Sequence, residues 1–312
     1  MLEDIGFYTL SDQRARSASA TSRLMRCELI LSARCNFRCP YCRRVGGPDM
    51  PYADAESVVD GWIAEGLYAI RFSGGEPTLY KRLPELVARA RTGGIERIAV
   101  STNGSAPWAT YLRLIEAGVD DFSVSLDACC AADGDRMAGG VRGSWERVID
   151  NIRALSARTY VTVGIVVTDE NAATVAETVT LADSLGVADI RLIPAAQNGD
   201  HLSGVEIPAD VLARHPILRY RVANLRSGTS VRGLSEADAN RCRLALDDMA
   251  VCEGRHYPCI IYLREGGEAI GPVGADMRAD RAQWSETHDT RTDPICSANC
   301  LDVCRAYNNA GR

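Results

Sequence analysis

Short apolar runs alternate with amphipathic stretches through the first two-thirds of the chain. Residues 27–33, CELILSA, are apolar with few breaks and predict a strand. Residues 55–67, AESVVDGWIAEGL, place their apolar positions at helical spacing. The unit recurs: strand 68–74 with helix 82–92, strand 97–103 with helix 108–118, strand 121–127 with helix 144–156, and strand 159–168 with helix 172–186. Residues 189–195 predict a sixth strand. Such alternation builds βαβ units on a parallel sheet. The expected fold class is α/β, a whole or partial (β/α)6 barrel.

After about residue 205 the pattern changes. A helical stretch (208–225) leads to residues 249–273, which predict two or three short antiparallel strands joined by glycine-containing turns. Residues 294–309 predict one more helix. The expected organisation is an N-terminal extension (1–25), a barrel (26–205), a helical linker (206–235) and a small α+β domain (236–312).

The 312 residues are 46% hydrophobic and 24% charged, ample for a large core. A net charge of −6 offers no basic footprint for nucleic acid. Lys81 is the only lysine among 35 basic residues, so a lysine base or Schiff base elsewhere is ruled out. Residues 1–26 are broken by Arg14, Arg16, Arg23 and Arg26 and lack the apolar core of a signal peptide. No segment has 18 uninterrupted apolar residues. A soluble cytoplasmic protein without a membrane partner is expected. Twelve cysteines in that setting argue for metal or catalysis rather than disulfides.

The chemistry-bearing residues follow the strands. Cys35, Cys39 and Cys42 follow the first; Ser73, Gly74, Gly75 and Glu76 the second; Ser101, Thr102 and Asn103 the third; Ser125 and Asp127 end the fourth. In a parallel barrel, that carboxyl rim is where active sites are built. Three thiolates suit an iron–sulfur cluster with one iron left open, whereas structural zinc normally closes at four ligands. Gly74 and Gly75 allow close backbone approach, and Glu76 is an anion suited to an ammonium group. Ser125 and Asp127 suit ribose hydroxyls, and Tyr41 suits adenine stacking. A turn role for Ser125 and Asp127 stays open.

CNFRCPYC, SGGEP, STNG and SLD, in that order and spacing over residues 26–200, resemble the radical S-adenosylmethionine (SAM) superfamily. The resemblance implies a [4Fe–4S] cluster on Cys35, Cys39 and Cys42 whose open iron chelates SAM. It implies reductive cleavage to a 5′-deoxyadenosyl radical that abstracts a substrate hydrogen. Gly74, Gly75 and Glu76 would hold the methionyl amine, with Asn103, Ser125 and Asp127 near the methionyl and ribose groups. Relatives often use an arginine after the fourth strand for the carboxylate. Arg136 and Arg142 are on offer and neither aligns cleanly; Arg142 is taken as the candidate.

Cys242, Gly254 and Cys259, followed by Cys296, Cys300 and Cys304, resemble the SPASM or twitch appendage of the superfamily. That implies one auxiliary [4Fe–4S] cluster on Cys242, Cys259 and two of the last three. At four-residue spacing those three would share roughly one face of a helix. Zinc ligation by the same residues stays open on spacing alone. Cys129, Cys130 and Cys252 are candidate hydrogen donors, with burial as small core residues the bland alternative; Cys27 reads as core. His201, His215, His256 and His288 are scattered; His256 and Tyr257 are the best placed.

Only about 26 residues precede the first strand, which tilts the expectation to a small-molecule substrate over a peptide. Molybdopterin-type cyclases share CNFRC but end in Gly-Gly; this chain ends Ala310-Gly311-Arg312, and that reading is set aside. The resemblance suggests a sugar, aminoglycoside or nucleoside intermediate of natural-product biosynthesis. It also implies an electron donor such as flavodoxin or ferredoxin. The expected reactions, in order, are dehydrogenation, epimerisation, and decarboxylation or dehydration. A peptide maturase and a non-catalytic iron–sulfur or zinc protein are the rival classes.

Overall fold

The computed structural model of the chain describes residues 10–195 and 205–312. Nine strands form one sheet in the order β6-β5-β4-β3-β2-β1-β7-β8-β9. They are β1 (Arg26–Ile30), β2 (Ala69–Ser73), β3 (Arg97–Thr102), β4 (Asp121–Ser125), β5 (Tyr160–Val167), β6 (Asp189–Pro194), β7 (Asp248–Cys252), β8 (Arg255–Tyr257) and β9 (Gly271–Pro272). β1 to β6 run parallel, each beside the next, and the sheet does not close. The expected partial barrel is what forms.

Helices α2 (Tyr52–Ala64), α3 (Leu83–Thr92), α4 (Trp108–Ala117), α6 (Ser144–Ser156) and α7 (Val175–Ser184) fall where the periodicity puts them; α1 (Asp12–Ser17) and α5 (Ala131–Met137) do not announce themselves in the pattern. The outward strand residues, among them Phe72, Val100, Phe122, Val163 and Leu192, are buried with Trp62, Leu86, Leu114, Ile152 and Val179 from the helices. Each such side chain contributes about 1.5–3 kcal/mol. The inward positions include Glu28, Arg71, Ser101, Ser123 and Arg191, with Gly164, Val166 and Ile193 on β5 and β6.

Three expectations change. The 208–225 helix is two, α8 (Ala209–Arg214) and α9 (Pro216–Arg226). His215 is extended, as suits a residue before proline. These helices are no free linker, since Val211, Leu218 and Val222 join the main core. Second, β7 does not begin a separate antiparallel unit. It pairs parallel with β1, and only β8 and β9 turn back antiparallel. All five β7 residues are buried, and an interior strand is where such a run belongs. Third, the C-terminal helix breaks into α12 (Pro294–Asn299) and α13 (Asp302–Ala310). Cys300 is extended at the break, and the backbone there pairs with residues 231–234 instead. Cys296, Cys300 and Cys304 therefore do not share one helix face. Two helices frame this part: α10 (Ile260–Arg264) and α11 (Met277–Thr287).

The N-terminal extension docks: Leu10 and Ala15 pack with Leu244, Val303 and Tyr307, and Arg14 pairs with Asp247 at 2.5 Å.

Candidate active site

A cavity of about 410 Å³ opens at the carboxyl rim of β1–β6. Its walls include Cys35, Cys39, Tyr41, Cys42, Gly74, Gly75, Asn103, Ser125 and Asp127. Four loops, from four strands, meet there as the strand order requires.

The cysteine loop is tied to its neighbours. Gly75 N–H donates to Ser32 O at 2.7 Å, and Glu76 N–H to Arg34 O at 2.8 Å. A Cβ on Gly74 would lie 2.4 Å from Ser32 O, and one on Gly75 2.3 Å from Arg34 O. Gly74 also has φ +143°, a conformation that glycine tolerates. The close approach these glycines permit is therefore to the cysteine loop's own backbone.

Glu76 departs from its expected place. Its carboxylate is 1% exposed and turned into the wall. It accepts from Thr78 Oγ1 at 2.7 Å, Thr102 Oγ1 at 2.8 Å and Asn103 N–H at 2.7 Å. Burial raises its pKa against the pull of these bonds. In this arrangement it fastens the β2 and β3 loops together rather than facing an ammonium in the cavity. Asn103, so held, donates to Asn36 Oδ1 at 2.9 Å and lies 3.8 Å from Cys35 Sγ. Asn36 in turn donates to Ser105 Oγ at 2.8 Å. The Asn36–Asn103–Ser105 network escaped the sequence reading, although Asn36 sits inside the cysteine motif.

The Tyr41 hydroxyl donates to Asp127 Oδ2, and Val166 N–H to Asp127 Oδ1 at 2.7 Å. Burial pushes Asp127 up to about 6, opposed by these two donors. Asp127 thus anchors the cysteine loop to β4 and β5, with both oxygens engaged.

Several candidates fall outside the cavity. Arg136, on α5, pairs with Asp133 and Glu170 at the surface, and Arg142 is exposed before α6. Neither reaches the wall, so neither is positioned to hold a SAM carboxylate. Cys129 and Cys130 lie just before α5, where Cys130 Sγ donates to Asp133 at 3.3 Å. Cys252 is packed among Ile30, Ala250 and Leu263 and lines a separate pocket. None of the three thiols faces the main cavity, so none is placed as a hydrogen donor. His256 is wholly buried on β8, His215 pairs with Asp183 at 2.9 Å, and His201 lies outside the described residues.

A second group of thiols lies behind the cavity. Cys259 caps α10, and Ile260 and Arg264 of that helix form part of the cavity wall. Burial, then Cys242, raises the pKa of both Cys296 and Cys300, with Asp293 adding at Cys296 and Cys259 at both. The same holds for Cys304 beside Cys300 and Cys259. Asn308 donates to Cys242 Sγ at 3.6 Å, and Tyr262 N–H to Cys259 Sγ at 3.4 Å. Helix α11, absent from the sequence reading, clamps both segments. Its Arg281, 1% exposed, donates to Tyr257 O at 3.0 Å and Pro258 O at 3.4 Å, and its Ser285 to Cys242 O at 2.9 Å.

Neither cysteine group is drawn in to the spacing of a bound zinc ion. Zinc–sulfur bonds of about 2.3 Å put tetrahedral sulfurs roughly 3.8 Å apart. Among the described residues, the one group of three ligand atoms within 4.8 Å is His288, Asp293 and Cys296; no three cysteine sulfurs meet that spacing. Burial also raises the Cys35 thiol, and pushes Cys39 up to about 12 with Asp127 adding to the effect. A metal centre must therefore displace their protons.

The profile described as Radical SAM superfamily matches residues 29–182. Among curated proteins, a GTP 3',8-cyclase of Xanthomonas campestris pv. campestris (strain B100) is 34% identical over 165 residues, 49% of this chain and 47% of that protein. A GTP 3',8-cyclase of Synechococcus sp. (strain CC9902) is 28% identical over 267 residues, 82% of this chain and 67% of that protein. The chain spans about half the length of the first of these relatives. Streptococcus suis SuiB bound to S-adenosylmethionine superposes with a TM-score of 0.60 at 17% identity, over 88% of this chain and 67% of that one. anSMEcpe with bound AdoMet gives 0.59 at 14%, over 92% and 95%. At such identities the likeness speaks for the fold. By the matched profile, the motifs it covers and the shared architecture, the chain belongs to the radical SAM superfamily, whose members use a [4Fe–4S] cluster and SAM.

Proposed function

We propose that the chain is a radical SAM enzyme acting on a small molecule in the 410 Å³ cavity, most simply by dehydrogenation. Cys35, Cys39 and Cys42 would hold the [4Fe–4S] cluster, which when bound supplies the electron that cleaves SAM to a 5′-deoxyadenosyl radical. Gly74, Gly75, Asn103, Ser125 and the Tyr41 ring would frame SAM. Glu76 and Asp127 would act through the loops they fasten. Cys242, Cys259 and two of Cys296, Cys300 and Cys304 would hold an auxiliary [4Fe–4S] cluster in a twitch-like segment. An external donor such as flavodoxin or ferredoxin would supply electrons.

The observation that carries this reading is the convergence of the cysteine, Gly-Gly, Asn and Asp motifs on one cavity, with the second thiol group directly behind α10. Dehydrogenation balances in this arrangement. One hydrogen atom leaves to the radical, one proton to solvent, and one electron to an acceptor held by the C-terminal thiols. Epimerisation needs a hydrogen donor facing the substrate, and Cys129, Cys130 and Cys252 all face elsewhere. A second reading, cyclisation of a purine nucleoside triphosphate, is favoured by the cyclase relatives at 34% identity.

Anaerobic protein with dithionite and SAM should release 5′-deoxyadenosine, measured by chromatography. Alanine at Cys35, Cys39 or Cys42 should abolish it. Absence of 5′-deoxyadenosine from the wild-type protein overturns the proposal. Stoichiometric loss of GTP in the same assay would select the second reading.

A further inference from the structure

The floor of the cavity is cationic. Arg43, Arg71, Arg191, Arg232 and Arg264 line it, against the carboxylates of Glu28, Asp127 and Glu265. Two of those carboxylates are engaged already: Glu265 pairs with Arg43, and Asp127 takes the Tyr41 hydroxyl and Val166 N–H.

Arg71 points inward from β2 and is 6% exposed. Its Nη1 donates to Ser101 Oγ at 3.0 Å. Glu28 is its register partner across β1, yet among the described residues no carboxylate comes within ion-pair distance of Arg71. Arg232 enters from the open side of the barrel. It donates to Pro194 O at 3.1 Å and Asn299 O at 3.4 Å, both neutral carbonyls. Burial lowers its pKa, and Glu265 offsets this only in part. Arg264 extends from α10 on the same wall.

Guanidinium groups buried without an anion are costly, and their planar fork matches carboxylate or phosphate oxygens. Arg71 stands two residues before Ser73, about 6.6 Å deeper into the barrel than the loop that meets the cysteines. Arg71 thus lies deeper in the cavity than the Gly74–Gly75 loop that its own strand leads into.

We propose that the substrate carries a carboxylate or phosphate group, received by Arg71 and Arg232 with Arg264 at the margin. This rests on the reading of the cavity as the SAM site and names the class of molecule that shares it. A polycationic aminoglycoside is excluded by this proposal, because its ammonium groups would face the Arg71 and Arg232 guanidinium groups.

The test is calorimetric titration of the anaerobic, cluster-loaded full chain saturated with SAM. Inorganic pyrophosphate, succinate and kanamycin are the probes. Pyrophosphate binding identifies a phosphate group, succinate binding a carboxylate. R71Q and R232Q should each weaken the binding anion by about tenfold. The SAM dissociation constant should move less than twofold, and R71K, which keeps the charge but not the fork, should recover only part of the loss. R136Q, at the remote surface pair, should bind the anion as wild type does. Binding of kanamycin, failure of both anions, or wild-type affinity in R71Q and R232Q overturns the proposal. So does a loss confined to SAM affinity, which would assign these arginines to the cofactor. Anion binding is read without turnover, so a chain that binds pyrophosphate but releases no 5′-deoxyadenosine separates failure of the proposed function from failure of this inference.

Discussion

At the scale of single residues, local motif and local role come apart. Glu76 lies in a motif whose order and spacing are plain in the chain, yet its carboxylate ends up among Thr78, Thr102 and Asn103. Only the approach of the β3 loop supplies those donors. His256 shows the same with titration. It is wholly buried and pushed down to about 4, by burial first and then by Arg281 and Arg255. An unfolded histidine titrates near 6.5, so between about pH 6.5 and 4 the unfolded chain takes up a proton that the folded one refuses. Stability contributed above pH 6.5 is lost as the pH falls through that window, by up to about 3 kcal/mol. Urea unfolding of the wild type and H256N at several pH values should show a shallower decline in H256N over that range. Equal slopes would mean that the buried imidazole protonates freely in the native fold.

At the scale of elements, strands and helices of the first two-thirds are readable because each satisfies a strong periodicity. β3 is observed at Arg97–Thr102 within the expected 97–103, and α6 at Ser144–Ser156 as expected. Elements of the last third fail where the competing interaction is distant. The α12–α13 break depends on backbone pairing with residues 231–234, some seventy positions away, and no helical propensity reports that. The break changes the cysteine geometry. Five thiols are available for the proposed auxiliary cluster, which has four corners. Serine replacements of Cys296, Cys300 and Cys304, one at a time, should leave iron near about eight per chain in one variant and lower it towards four in the other two. Iron unchanged in all three variants, or lowered in all three, would remove the four-of-five arrangement.

At the scale of the whole molecule, the C-terminal segment is less an appendage than a continuation of the sheet. β7 pairs with β1 over Arg26–Leu29, and Arg26 pairs with Asp248 at their side chains. Removing residues from about 240 onward would expose that β1 edge and the apolar side of Leu10 and Ala15. Such a truncation should aggregate on expression. A soluble, monomeric product by size-exclusion chromatography would mean that the barrel folds without β7. The same continuity brings α10, Arg232 and Arg264 onto the cavity, so the segment that offers the second thiol group also builds part of the cavity wall.

What the sequence determined by itself was the parallel α/β architecture, the cysteine loop, and the strand ends that share one rim. These follow from short-range periodicity and from the rule that strand ends in a parallel barrel converge. Only the tertiary structure decided which carboxylates face the cavity, that the thiols of 129, 130 and 252 stay off its wall, and that Arg71 and Arg232 reach it bonded to neutral partners. Those outcomes depend on contacts between segments far apart in the chain, where burial and competing hydrogen bonds choose among orientations that local sequence leaves equal.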